Sequence, residues 1–155
     1  MTETFEKYLH AIRHYCDYQE RCHQEARYKL VELGARGEVL EQLISMMITE
    51  GLLNEERYAG AYARGKFRVN RWGRIRIIRQ LQQKNVSEYC IKKGLLEIDA
   101  EAYEQTVADL ITQKYATLKQ EKHPALRRQK AIRFLLQKGF EYDIILSVMN
   151  RLDLP

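Results

Sequence analysis

Residues 71–85 read RWGRIRIIRQLQQKN, and the period of this stretch decides the fold. Its first half alternates Arg with Ile as a half-buried strand would, but the alternation then stops. At 100° per residue, Ile77, Ile78 and Leu81 share one face, while Arg76, Arg79 and Gln83 project from the opposite one. The stretch is therefore an amphipathic helix whose pattern ends at Asn85. It also contains no acidic residue, which leaves its outer face one-signed.

The same helix ending recurs. YKLVELG closes at Gly34, IRQLQQKN at Asn85 and IRFLLQKG at Gly139. Four residues before each anchor stands Leu30, Leu81 or Leu135, and eight before stands Ala26, Ile77 or Ala131, so these positions share one helix face. Five and six residues after each anchor come Val39 and Leu40, Cys90 and Ile91, or Ile144 and Ile145, where a second apolar helix begins. Gly and Asn are the residues that tolerate the left-handed conformation closing a helix, so the chemistry of the break repeats along with its spacing.

The anchors lie 51 and 54 residues apart, which leaves space for one more helix ahead of each matched pair. Those helices are predicted over residues 5–15, 55–69 and 101–118. On the second, Tyr58, Ala61, Tyr62, Gly65 and Val69 form a stripe, with Asn54 as N-cap and Glu55 and Glu56 in the first turn. On the third, Tyr103, Val107, Leu110, Ile111 and Leu118 form the stripe, and Asp99 starts the helix. The expected fold is all-α: an elongated array of three tandem three-helix repeats, 1–52, 53–98 and 99–155. Each triplet is too small to bury its own stripe, so neighbours should stack.

Composition agrees. The chain has 155 residues, 45% of them hydrophobic, with only 2 Pro and 8 Gly to punctuate hairpins. No run of 18 apolar residues occurs, and MTETFEKYLH lacks the basic and apolar regions of a signal peptide, so a cytoplasmic protein without a membrane contact is expected. Cys16, Cys22 and Cys90 have neither metal-knuckle nor redox spacing, which suits free thiols in a reducing compartment. His10, His14, Cys22 and His23 contain neither a Cys-x-x-Cys pair nor a His-Glu-x-x-His helix, and their expected roles are surface and packing. No cofactor is expected.

Charge is uneven. Residues 1–53 carry 6 basic and 9 acidic side chains, residues 54–98 carry 11 and 4, and residues 99–155 carry 9 and 8. The first repeat is thus slightly acidic and the second strongly basic. From Arg57 through Ser87 nine Lys and Arg occur without one acid, and Lys122 to Phe140 carries six more. Solvated helix faces usually mix both signs, so such runs favour an anionic partner. The candidate contact residues are Arg57, Arg64, Lys66 and Arg68 on the first helix of the middle triplet, and Arg71, Trp72 and Arg74 at its connection. Arg76, Arg79 and Lys84 follow on the next helix, and Arg127, Arg128, Lys130 and Arg133 lie in the second run. Trp72 either seals the helix junction or joins the contact.

Three stretches resemble the RecX family of regulatory proteins. EGLLNEERYAGAYARGK at residues 50–66 is similar to the family's GLLDDERFAxxxxR, and WGRIRIIRQLQQKNVS at 72–87 to its GxxxIxxELxxKGI. RRQKAIRFLLQKGFEYDIILSVM at 127–149 is similar to its closing LxRFLxRRGFSYDxI. The resemblance runs from Leu9 to Leu152. Gln80 stands where the family usually has an acid, and Asn85 where it usually has Gly. The resemblance implies a non-enzymatic monomer that lies in the groove of the RecA filament on single-stranded DNA and blocks or reverses filament growth. It would thereby modulate DNA repair, recombination and the SOS response, with direct nucleic-acid binding also open.

Other classes compete less well. No Gly-rich phosphate loop, nucleophile elbow or paired carboxylates beside a His point to an enzyme. A helix-turn-helix-like DNA binder fits the helix count, but SEYCIKKGLLE and EYDIILSVMNRL lack the row of Arg, Asn and Gln that reads base edges, which leaves mainly phosphate contacts.

Overall fold

A computed structural model describes residues 2–154. Among these the chain forms nine α-helices and no strand: α1 (Glu3–Tyr18), α2 (His23–Leu33), α3 (Gly37–Thr49), α4 (Glu55–Arg68), α5 (Arg74–Gln83), α6 (Glu88–Leu95), α7 (Ala100–Thr117), α8 (Pro124–Gln137) and α9 (Tyr142–Leu152). No helix among the described residues is long and apolar enough to cross a membrane. The starts follow cap chemistry: the Asn54 side chain accepts from Arg57 N at 2.9 Å and Asp99 from Ala102 N at 2.9 Å, satisfying amides that the first turn cannot pair internally.

The three anchors all adopt the left-handed conformation, Gly34 at φ 107°, Asn85 at 60° and Gly139 at 97°. Each closes its helix with the same pair of bonds. The anchor amide donates three residues back at 3.0 Å: Gly34 to Val31, Asn85 to Gln82, Gly139 to Leu136. The following amide donates five residues back: Ala35 to Leu30 at 2.9 Å, Val86 to Leu81 at 3.1 Å, Phe140 to Leu135 at 3.2 Å. This Schellman geometry also buries the residue after the anchor, so Ala35, Val86 and Phe140 join Leu30, Leu81 and Leu135 in the core.

The chain divides into two compact units, one formed by residues up to Tyr62 with Leu81–Gly94, the other by Ala63–Gln80 with Leu95 onward. In the first, α1, α2 and α3 pack against one another around Phe5, Leu9, Ile12, Leu30, Leu43 and Met47. The start of α4 and most of α6 also belong here, and a Cβ on Gly94 would lie 2.8 Å from the Ala59 carbonyl, so α6 and α4 approach at backbone distance. Cys16 and Cys22 are buried free thiols, each held protonated up to about 11 by that burial.

In the second unit, α7, α8 and α9 pack together around Val107, Ile111, Leu135, Ile145 and Val148. Phe67 of α4 meets the Tyr103 ring at 5.6 Å, and Tyr103 meets Phe140 at 5.2 Å. The buried stripe of α4 differs from the sequence expectation: Tyr58, Ala59, Ala63 and Phe67 are buried, whereas Ala61, Tyr62 and Gly65 are half-buried. Val69 lies past the last turn and is 82% exposed. The large apolar Phe67 and the alanines that allow close approach set the rotation, which the tyrosine spacing had suggested otherwise. On α7 the stripe holds through Ile111, but Tyr115 takes the last buried place and Leu118 caps the helix.

Candidate interaction surface

Fourteen residues were expected at a basic contact surface, and they fall into different settings. Arg57 and Lys84 belong to the first unit, and both are paired there, Arg57 with Glu20 and Lys84 with Glu25 at 3.5 Å. Sequence separation hid these pairings, since Glu20 lies 37 residues from Arg57 and Glu25 stands on α2, far from Lys84 in the chain. The remaining twelve belong to the second unit.

Four of them are neutralised or structural. Arg64 pairs with Glu97 at 3.3 Å and Lys130 with Glu121 at 2.7 Å. Arg128 donates to the Asn150 side chain at 3.0 Å, and Arg127 lies over the Tyr115 ring at 4.6 Å while donating to the Tyr115 carbonyl. The basic run on α8 is thus largely engaged with its own unit. Only Arg133 of that quartet is exposed and has no charged or hydrogen-bonded partner among the described residues; Arg68 on α4 and Arg79 on α5 share that condition.

Arg74 belongs to the fold. Its Nη1 meets Glu141 at 2.9 Å, its guanidinium covers the Tyr103 ring at 3.9 Å, and its backbone amide donates to the Tyr103 hydroxyl at 2.9 Å. The Tyr103 hydroxyl in turn donates to Glu141. Burial, then the hydrogen bond to Glu141, pushes the Tyr103 phenol far above its ordinary value, so this polar core remains in one protonation state.

What remains is a cluster around the connection from α4 to α5. Arg71 closes α4 in the left-handed conformation at φ 55°. Trp72 is half-buried, with Lys66 4.9 Å and Arg76 4.3 Å from its ring centre. The indole therefore holds two cations as well as filling the junction. Lys138, from the end of α8, adds a third direction of positive charge and donates to the Asn70 carbonyl at 2.7 Å. Burial, then Arg76 and Arg71, hold the Lys138 ammonium below its ordinary range. Crowded like charges disfavour one another, and an arriving anion would relieve that cost. Lys138 was absent from the expected set, although it stands in the acid-free run 122–140; its role needs the tertiary fold, because its neighbours in space, Asn70, Arg71 and Arg76, come from the connection to α5 and from α5 itself.

Glycine lets this cluster form. Gly73 N donates to the Lys138 carbonyl at 2.8 Å and Ile75 N to the Gly139 carbonyl at 2.9 Å, so amides at the start of α5 meet carbonyls just past the end of α8. A Cβ on Gly73 would sit 2.3 Å from the Gly139 carbonyl carbon, and one on Gly139 would sit 2.4 Å from the Arg76 Cβ. Two side-chain-free residues bring Arg71, Arg76 and Lys138 within reach of each other. Among the described residues no group of three or more His, Cys, Asp or Glu side chains is placed to hold a metal.

Comparison with known proteins matches this arrangement to a named family. The description of the second three-helix domain of RecX fits residues 54–95, and that of the third fits residues 101–149. A protein named regulatory protein RecX from Clostridium perfringens (strain 13 / Type A) is 35% identical over 130 residues, covering 83% of this chain and 60% of the relative. The protein of that name from Bacillus cytotoxicus is 30% identical over 151 residues, covering 97% of this chain and 55% of its own. The one from Pelodictyon phaeoclathratiforme is 31% identical over 131 residues, covering 84% and 79% respectively. This chain thus spans little more than half the length of the first two relatives. The crystal structure of RecX from Lactobacillus salivarius superposes over 100% of both chains with a TM-score of 0.90 at 24% identity, a likeness of fold.

Proposed function

Because the chain belongs to the RecX family, we propose that it is a non-catalytic regulator that docks on the filament formed by RecA on single-stranded DNA and blocks or reverses its growth. The observation that carries the reading is the cation cluster of Lys66, Arg71, Arg76 and Lys138 around Trp72. It is positioned by backbone contacts rather than by flexible side chains alone, and Arg71, Arg76 and Lys138 have no carboxylate partner among the described residues. Fixed cations of one sign suit an acidic protein groove or a phosphate backbone, where they give orientation and association rate. Arg68, Arg79 and Arg133 are exposed and available to the same partner.

The test replaces the cluster without disturbing the turn. Arg71→Asn keeps a residue that tolerates the left-handed conformation, Arg76→Ala keeps the Cβ facing Gly139, and Lys138→Gln keeps a donor toward the Asn70 carbonyl. The triple variant should bind the RecA filament on single-stranded DNA about tenfold or more weakly at fixed salt, with its thermal unfolding little changed. Inhibition of the filament's ATPase equal to that of the parent would remove the cluster from the contact. A loss seen equally on free single-stranded DNA would identify phosphate, rather than protein, as what the cluster holds.

A further inference from the structure

A second groove lies far from this chemistry in sequence. It is a hollow of about 380 Å³ between α1 and α2, lined by His10, His14, Tyr15, Tyr18, Arg21 and Lys29. Neither family description reaches these residues. We propose that this groove binds single-stranded nucleic acid, with a base stacked on Tyr18 and the adjoining phosphate held by Arg21 and Lys29. This site stands independently of the cluster around Trp72.

Three observations converge on that ligand. The first is a prepared guanidinium. Arg21 stacks on the Tyr15 ring at 3.7 Å, and its Nε donates to the Tyr15 carbonyl at 2.9 Å. One edge is thereby pinned, while its two terminal nitrogens have no hydrogen-bond partner among the described residues. A planar fork immobilised in this way loses little freedom on receiving an oxyanion. Lys29 Nζ lies 5.5 Å from the centre of the same Tyr15 ring, and its one ion pair among the described residues is with the exposed Glu32 at 3.7 Å.

The second observation is an aromatic platform open to solvent. Tyr18 is 75% exposed, and its ring lies 6.4 Å from that of His14 at 33°. An aromatic ring exposed beside a cation is the arrangement that binds bases of any sequence, because every base presents a π-face. An acidic peptide would use the cations but leave this platform idle. The third is charge: residues 1–53 carry 9 acids against 6 bases, yet no carboxylate lines the groove. The hollow is therefore positive against the trend of its own segment.

The experiment uses the intact chain and an oligothymidylate carrying a photoreactive base. Crosslinks mapped by peptide mass should fall within residues 10–21. Tyr18→Ala should weaken oligothymidylate binding at least about fivefold, and Tyr18→Phe should restore it, as stacking requires. Tyr18 is exposed and outside the core, so the fold should tolerate both changes. Lys29→Gln should reduce the dependence of affinity on salt. Three outcomes would overturn the proposal: crosslinks confined to other helices, Tyr18→Ala binding as tightly as the parent, or an oligoglutamate peptide displacing the oligonucleotide with the Tyr18 variants indistinguishable. Thymidine monophosphate binding as tightly as the strand would also reject it, by assigning the groove to a free nucleotide.

Discussion

At the scale of single residues, two glycines carry different burdens. Gly73 has no positive φ, but its hydrogen faces the backbone of Gly139, and a Cβ there would meet carbonyl carbon and oxygen at 2.3 Å. Backbone cannot rotate away as a side chain does. Gly73→Ala should therefore push α5 off the end of α8, breaking the bonds of Gly73 N and Ile75 N to Lys138 and Gly139, and cost about 3 kcal/mol or more as an overpacking change. Gly65 is the control. It sits inside α4 with nothing within 4 Å of its would-be Cβ. There Ala should stabilise by about 0.5–1 kcal/mol, since it restores helix propensity without a clash. Chemical denaturation of the two variants gives both signs in one experiment, and a neutral Gly73→Ala would mean the close backbone approach is absent in solution. In sequence Gly65 lies on the predicted helix 55–69 and Gly73 at the connection that follows it, and neither setting tells whether a Cβ would fit. What separates them is a tertiary neighbour 66 residues away for Gly73, which no local pattern carries.

At the scale of elements, the repeated helix ending was the most legible part of the molecule. Gly34, Asn85 and Gly139 could be aligned from sequence because each combines a left-handed residue with apolar residues at fixed distances before and after it, and one Schellman geometry imposes all of those distances. The six-residue offset proved the inward one: Leu40, Ile91 and Ile145 are buried, while Val39 is exposed and Cys90 and Ile144 are half-buried. Burial of Ala35, Val86 and Phe140 immediately after the anchors is not legible in the sequence, because Ala, Val and Phe share no size or shape. The face of α5 was correctly read at its centre, where Ile77 and Leu81 are fully buried and Arg79 and Gln83 exposed. Leu81 also supplies the carbonyl that Val86 N caps, so its helix end depends on its position. Leu81→Ala should destabilise by about 2–5 kcal/mol, as for other buried Leu truncations, whereas Arg79→Ala should stay within about 0.5 kcal/mol. Equal losses in urea unfolding would show the helix rotated. The rotation of α4 was less legible: its tyrosines and alanines satisfy more than one stripe, and Phe67 decides only once Tyr103 is in place.

At the scale of the whole chain, the sequence divides into three charge-distinct stretches, and the middle one contributes residues to both compact units. Residues 63–80 cluster with the chain from Leu95 onward, and residues 81–94 with the chain up to Tyr62. The candidate surface was legible as a basic stretch, but which cations stay available was not, because Glu20, Glu25, Glu97 and Glu141 arrive from distant segments. This division has a direct consequence for a chain ending at residue 98. It would retain every member of the core around Leu30, Leu43 and Met47, all of which lie before residue 54. It would lose Tyr103 from Phe67, Glu141 from Arg74, and the carbonyls of Lys138 and Gly139 that receive the first amides of α5. A helix of ten residues is marginal once its packing is removed. Amide hydrogen exchange should therefore show residues 71–79 losing protection in the shortened chain, while Leu9, Leu30 and Leu43 keep it. Under the proposed function, binding to the RecA filament should fall with that loss of order, because the cluster around Trp72 needs both α5 and Lys138. Retained protection at Ile75 and Ile77 would mean that the middle stretch orders itself without the last three helices, and the cation cluster would then have to be rebuilt on local contacts alone.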